Sequence, residues 1–236
     1  MFTDISLAQW VDETGVFVLR IYEWTGIAVS VGIHQRLDQL VKDTISDSNI
    51  PIVRRPTGGR GILHDGDITY SVICPHSALG GEGEGIYSSY KCLSRITGKA
   101  LSSLGLYTAP GSSIGQARSG DCFSHSTHAD MNTIDGQKLV GCAQRRFSKT
   151  LLQQCSIRYR ASSIPIDRIF VNGVNPRSFP LKDFTKQQIH LALVASFEWR
   201  FGPFVPFDLN NSKFKELLEL NGHSYEKICI DLQYVL

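Results

Sequence analysis

Val53-Arg-Arg-Pro-Thr-Gly-Gly-Arg-Gly-Ile-Leu-His-Asp-Gly-Asp-Ile-Thr-Tyr-Ser71 is the stretch on which the reading of this chain turns. An apolar run, Ile50 to Val53, feeds two arginines, then a Pro-Thr-Gly-Gly turn, then a second apolar pair ending in His64-Asp65. Glycine lets a backbone come close to a ligand and adopt φ > 0. Amides exposed in such a turn, flanked by Arg54, Arg55 and Arg60, form a concave site for an anion such as a phosphate. A Gly-rich hairpin with solvated arginines is the other reading of the same letters. On either side, Ile50 to Arg55 predicts a buried strand and Ile68 to Cys74 another, ending at Pro75.

Outward from this loop, residues 5–12 predict a short helix before Gly15. Val16 to Trp24 and Ile27 to Gly32, divided by Thr25-Gly26, predict a strand pair. Leu37, Leu40, Val41 and Thr44 fall at helical spacing within 36–46. The Gly-rich, acidic segment 77–85 reads as a mobile loop, as does the polar stretch Ala109 to Asp121. Between them, apolar residues at 86, 90, 93, 96, 97, 100, 101 and 104 mark a long amphipathic helix capped by Gly105. His128 to Ile134, Gln137 to Arg146 and Lys149 to Tyr159 predict a β-meander, with Asp135-Gly136 as a hairpin turn. Past Pro165 the chain turns helical, with Thr185 as an N-cap and a last helix over 212–220. One α+β domain over 1–236 is expected, a mixed β-sheet flanked by helices, with the helical C-terminal portion from about residue 183.

The 236 residues suffice for a sizeable core, and 42% hydrophobic with 19% charged residues reads as a globular protein with no case for disorder. A net charge of +2 is too small to imply nucleic-acid binding. Local arginine density at the loop and at Arg145-Arg146 points to a small anionic ligand or an acidic partner surface. No apolar run approaches the ~20 residues of a membrane span, and Met1-Phe2-Thr3-Asp4 shows no basic n-region. The expected location is the cytoplasm, where the dispersed Cys74, Cys92, Cys122, Cys142, Cys155 and Cys229 are free thiols.

Two residues stand out chemically. Lys138, two residues past the Asp-Gly turn, reads as a solvated hairpin lysine. Yet small Gly141 and Ala143 follow on what should be a central strand, where close ligand approach is a standing explanation. Cys122 lies in a polar, Gly-rich stretch with His125 and His128 close behind, unlike the other cysteines, which read as inert. A nearby cation raises the thiolate fraction of such a cysteine. His64 suits a structural hydrogen-bonding role or a ligand contact equally. Neither His64 nor Asp65 stands at metal-ligand spacing with another His or Cys, so zinc is not expected and no metal is assigned.

The whole string from Val53 to Ser71 resembles the signature loop of the lipoate–protein ligase A and octanoyltransferase family. Asp135-Gly-Gln-Lys-Leu-Val-Gly-Cys-Ala-Gln144 resembles its second motif, Gly-x-Lys-(Ile/Val)-x-Gly-x-Ala-Gln. The Cys122-Phe123 pair ahead of Lys138 resembles the octanoyltransferase branch. The resemblance runs from Leu19 to about Tyr159 and implies the biotin/lipoate attachment fold. It implies that Lys138 contacts the acyl carbonyl and that Cys122 forms an acyl-thioester. By the same resemblance Arg55, Thr57, Gly58, Gly59, Arg60, Gly61, Ile62, Leu63, His64, Gly141 and Ala143 bind substrate. The implied function is attachment of an octanoyl or lipoyl group to one lysine of a carrier lipoyl domain, in the glycine cleavage H protein or 2-oxoacid dehydrogenase subunits.

The chain also departs from the pattern. Its N-terminal helix is shortened, and Gln154-Cys155-Ser156 stands where relatives carry His-Gly-Ser or His-Gly-Thr. Arg60 replaces a third glycine of ATP-using ligases, and Asp67-Ile68-Thr69 stands where those show an Asn. Three readings follow. The first is a cysteine-dependent transferase that needs no cofactor and takes octanoyl from acyl carrier protein. The second is a ligase using ATP and Mg, with an accessory domain protein as possible partner, and the third a non-catalytic acyl- or nucleotide-binding paralogue. Arg60 and Cys122 favour the first.

Overall fold

The computed structural model describes residues 1–111, 119–208 and 210–221. In chain order these form α1 (Phe2–Thr14), β1 (Val18–Tyr22), β2 (Ala28–Val31), α2 (Lys42–Asp47), β3 (Ile52–Arg54), β4 (Ile62–His64), β5 (Asp67–Pro75), α3 (Ile86–Ser103), β6 (Thr108–Pro110), β7 (Met131–Thr133), β8 (Lys138–Arg146), β9 (Thr150–Arg158) and α4 (Lys186–Phe201). A further helix covers 212–221.

The meander expected from 128–159 forms, and it builds half of a six-stranded antiparallel sheet of order β1-β5-β9-β8-β7-β6. Gly136, at φ +83°, supplies the left-handed turn residue between β7 and β8. Every residue of β9 is buried, because helices α3 and α4 cover one face of the sheet, and α1 and the small sheet the other. On the helical face Tyr70, Val72, Leu93, Ile96, Leu101, Ile157, Leu193 and Phe197 make one core. The α3 periodicity holds except at its first turn, where Ile86 is exposed. Thr185 caps α4 as expected, its Oγ1 accepting from the Gln188 N–H at 3.2 Å while Gln188 Oε1 accepts from the Thr185 N–H.

The opposite face is shared between α1, through Leu7, Ala8 and Val11 against Ile73 and Leu152, and a three-stranded sheet of order β3-β2-β4. This division corrects the expected strand pair. β1 pairs with β5 in the large sheet, Leu19 opposite Val72, whereas β2 lies in the small sheet between parallel β3 and antiparallel β4. The strand read as buried at 50–55 is a short half-buried edge strand. Residues 36–46 divide into a 3-10 turn at Leu37–Gln39 and the short α2. The segment read as a mobile loop at 77–85 folds as 3-10 turns over His76–Gly83, with Leu79 buried and Glu82 paired to Arg95. Of the other proposed loop, residues 112–118 lie outside the described set, as does Cys229.

Candidate active site

A β-bulge places the lysine. Met131 faces Val140 but Asn132 faces Lys138, so Leu139 is an extra residue on β8. A bulge re-aims the side chain beside it. Lys138 accordingly shares a face with Gly141, and a Cβ built on Gly141 would lie 3.2 Å from Lys138 Cε and 3.1 Å from Cys122 Sγ. The glycine is what lets the thiol and the ammonium meet over the strand.

The cysteine arrives from the other side. Cys122 opens a 3-10 turn whose N-cap, Asp121, accepts from the Phe123 N–H at 3.1 Å and the Ser124 hydroxyl at 2.8 Å. That turn is tied to the signature loop: the Gly61 N–H donates to Gly120 O at 2.9 Å and the Cys122 N–H to Gly61 O at 2.8 Å. The two motifs, some sixty residues apart in sequence, thus share one backbone ladder.

Lys138 is buried, which overturns the solvated reading. Its Nζ donates to Cys122 O at 2.8 Å, His125 O at 3.1 Å and Cys122 Sγ at 3.3 Å, and pairs with Asp130 Oδ2 at 2.9 Å. Burial disfavours the ammonium, but Cys122 and Asp130 outweigh it and hold the Lys138 pKa above the usual lysine value. Burial raises the Asp121 carboxyl against the opposing pull of Arg158 and lowers the Arg158 guanidinium. Arg158 stacks on the Phe123 ring at 4.1 Å, and its Nη2 is buried without a hydrogen-bond partner. The other described cysteines are free thiols, with Cys74, Cys92 and Cys155 buried. Burial pushes the Cys74 thiol up to about 12, and a hydrogen bond with Cys155 together with burial pushes up Cys142.

Around Cys122, the residues Arg55, Gly59, Ile62, His64, Gly141 and Ala143 line one narrow cavity of about 30 Å³. Met1, Tyr22 and Gln154 line its wall, and the buried Tyr22 hydroxyl has no hydrogen-bond partner. Thr57, Gly58, Arg60, Gly61 and Leu63 do not line it. Thr57 instead donates to Gln154 Oε1 at 2.7 Å, and Gln154 donates to Asp4 at 2.6 Å, so the departing Gln154 joins the loop to α1.

Arg54 and Arg55 do not present their guanidinium groups as an open anion cradle. Arg55 is buried, donating to Gly58 O and Arg60 O at 2.7 Å each and reaching Ser30, while Arg54 donates to the carbonyls of Gly32, Ile33 and Gln35. Both bind backbone oxygens and shape the loop. His64 contacts Asp67 Oδ2 at 2.9 Å and Ser30 Oγ at 2.7 Å and stacks on Trp24, a structural arrangement at the cavity's edge. Beyond Phe123 lies a wider cavity of about 430 Å³, lined by Lys138, Arg158, Arg177, Asn132, Gln137 and Asn175, with no carboxylate among the described residues of its wall. Sequence reasoning missed Asp130, Asp121 and Arg158. A carboxylate inside a stretch read as strand, as Asp130 is, was the available signal of a buried ion pair.

Among solved structures, the bipartite lipoate protein ligase of Thermoplasma acidophilum superposes with a TM-score of 0.74 at 18% identity, covering 94% of this chain and 86% of that one. A lipoate-protein ligase A bound with ATP gives 0.73 at 21% identity, over 94% and 87%. The fold is the lipoate–protein ligase catalytic fold. The sequence matches the lipoyl protein ligase A/B catalytic domain over residues 3–196, and the chain belongs to that family. Curated relatives include an octanoyltransferase LipM from Exiguobacterium sp., 35% identical over 169 residues, which are 66% of this chain and 60% of the relative. The Staphylococcus epidermidis octanoyltransferase LipM is 34% identical over 65% of this chain and 57% of its own length. The aligned part therefore spans about three fifths of these relatives. The Bacillus cereus LipM is 28% identical over 96% of this chain and 90% of that one. No described helix is long and apolar enough to cross a membrane, and no described cluster of three or more His, Cys, Asp or Glu is placed to hold a metal.

Proposed function

We propose that this protein transfers an octanoyl group from acyl carrier protein to a lysine of a lipoyl-domain carrier, such as the glycine cleavage H protein, through a thioester on Cys122. The observation that carries this reading is the 3.3 Å contact between Lys138 Nζ and Cys122 Sγ at the wall of the narrow cavity. The similarity to proteins named octanoyltransferase supports it. The Cys122 thiolate attacks the donor thioester carbonyl, and the donor thiol leaves. The Lys138 ammonium lies beside the oxyanion as it develops. One thioester replaces another of similar energy, and the acceptor lysine then takes the acyl group downhill to an amide, so no nucleotide is consumed. A cavity of about 30 Å³ holds about one or two waters, so its wall must part to admit an acyl chain.

The second reading, an ATP- and Mg-dependent ligase, is favoured by one observation: the wider cavity presents Lys138, Arg158 and Arg177 and, among the described residues, no carboxylate, a lining that suits a phosphate. One experiment separates the two. Mixed with octanoyl-acyl carrier protein and no ATP, the protein should gain an octanoyl mass increment on Cys122 that hydroxylamine removes. Full transfer to the carrier by Cys122→Ser, dependent on lipoate, ATP and Mg, would overturn the transferase and establish the ligase.

A further inference from the structure

Asp130 is buried, and its carboxylate is fixed before it meets the lysine. Oδ2 accepts from the Thr127 N–H at 2.7 Å and the Thr127 hydroxyl at 2.9 Å, and Oδ1 from the Cys142 N–H at 3.2 Å. The Cys142 donor belongs to β8, so the carboxylate is braced by the strand that carries Lys138. The ion pair at 2.9 Å joins side chains only 4% and 3% exposed. An ammonium has three N–H donors and no lone pair. Here it faces three oxygens, those of Cys122, His125 and Asp130, and one sulfur. A neutral amine would keep two donors and turn a lone pair toward an acceptor, leaving buried oxygens unmatched.

We infer that Asp130 is a positioning residue that locks Lys138 as a permanent ammonium, so that Lys138 serves Cys122 as a fixed cation and takes no proton from the thiol. This rests on the acyl-transfer reading above and sharpens it. The thiol proton leaves to solvent before the donor arrives. The thiolate then forms the new C–S bond, the donor C–S bond breaks, and the departing donor thiolate is protonated by solvent. Lys138 keeps its three protons throughout. Among the described residues, the charged or titratable groups around it are Cys122 on the 3-10 turn and its N-cap Asp121, His125 and Asp130 before β7, Cys142 on β8 and Arg158 on β9. The raised Lys138 pKa agrees with this balance.

The test is the pH dependence of single-turnover acylation of Cys122 by octanoyl-acyl carrier protein, read by intact mass, for wild type and Asp130→Asn. Wild type should keep its rate up to the usual lysine pKa of about 10.4. Asp130→Asn should lose roughly tenfold or more of the plateau, and its alkaline limb should move down by about one pH unit or more, because removing a negative neighbour eases deprotonation of Lys138. A role confined to holding the 127–130 turn would lower the melting temperature and leave the limb in place, which would overturn the inference. If Asp130→Asn does not fold, wild type decides alone: an alkaline limb centred well below 10 would overturn it. Alkylation of Cys122 by iodoacetamide, followed by peptide mass, reads the loss of the ammonium charge without an acyl donor, as a second, upward step in rate at alkaline pH that should lie about one pH unit or more lower in Asp130→Asn. A protein that shows this shifted step yet never acylates overturns the transferase reading and leaves the role of Asp130 supported.

Discussion

At the scale of single residues, the proposed chemistry rests on a lysine held by four contacts. Lys138 reaches two carbonyls, one carboxylate and one sulfur inside a buried shell, so its removal has two separable consequences. Lys138→Ala should cost about two to three orders of magnitude in acyl transfer, the usual effect of deleting one preorganised donor at an oxyanion. It should also destabilise the fold by about 3–5 kcal/mol, because Asp130 is left as an uncompensated buried charge. Urea denaturation checks the second effect: adding Asp130→Ala to Lys138→Ala should recover part of the lost stability, and strictly additive losses would show that the pair is not coupled. A hairpin lysine at the surface would show neither effect. The residue type and its sixteen-residue spacing from Cys122 were legible in the sequence. Its burial was not, because the acceptors come from the 3-10 turn and the 125–130 loop, which local periodicity does not place.

Among elements, the signature loop links the small sheet to the Cys122 turn and, through Thr57 and Gln154, to β9. Its shape is set by Arg55 on the carbonyls of Gly58 and Arg60 and by the backbone ladder from Gly61 to the Cys122 turn. The glycines in it are unequal. A Cβ on Gly58 would meet nothing within 4 Å, whereas on Gly61 it would come within 2.3 Å of the Phe170 ring, which is fully buried. Gly58→Ala should therefore leave stability within about 0.5 kcal/mol. Gly61→Ala should lower it by about 1–3 kcal/mol through overpacking and slow acylation of Cys122 by displacing the turn that carries it. Thermal melts and single-turnover acylation of the two variants measure this contrast, and equal behaviour would show that the ladder does not position the cysteine. The sequence marked the loop through its Gly-Gly and arginine content. It pointed the arginines outward at an anion, since nothing in a linear string reveals that backbone carbonyls curl back to claim both guanidinium groups.

Across the whole molecule, stability at low pH is linked to the seam between the two sheets. Asp67 joins His64 on β4 to Ser156 on β9, at 2.9 and 2.7 Å. Burial alone would raise its pKa, but the charge of His64 and the hydrogen bonds from His64, Ser156 and Thr69 outweigh that and leave it lowered. A carboxylate depressed on folding contributes stability that is complete above the unfolded value of about 3.9 and is lost as the pH falls through the lower folded value. Asp67→Asn should thus be less stable than wild type at pH 7, with a shallower decline in urea midpoint between pH 5 and 3. Parallel declines would show that Asp67 is not the linked group. The sequence by itself determined the elements that depend on neighbours a few residues away: the α3 stripe, the Thr185 cap, the Asp135-Gly136 hairpin and the meander that carries Lys138. Only the tertiary structure decided that β1 and β2 separate into different sheets, that Arg55 turns inward, and that Asp130 braces Lys138 opposite Cys122. Capping and periodicity are local interactions that a linear string displays. Strand partnership and burial arise where segments tens of residues apart exclude water together, as Leu19 and Val72 do, and no short window of sequence contains both sides of that contact.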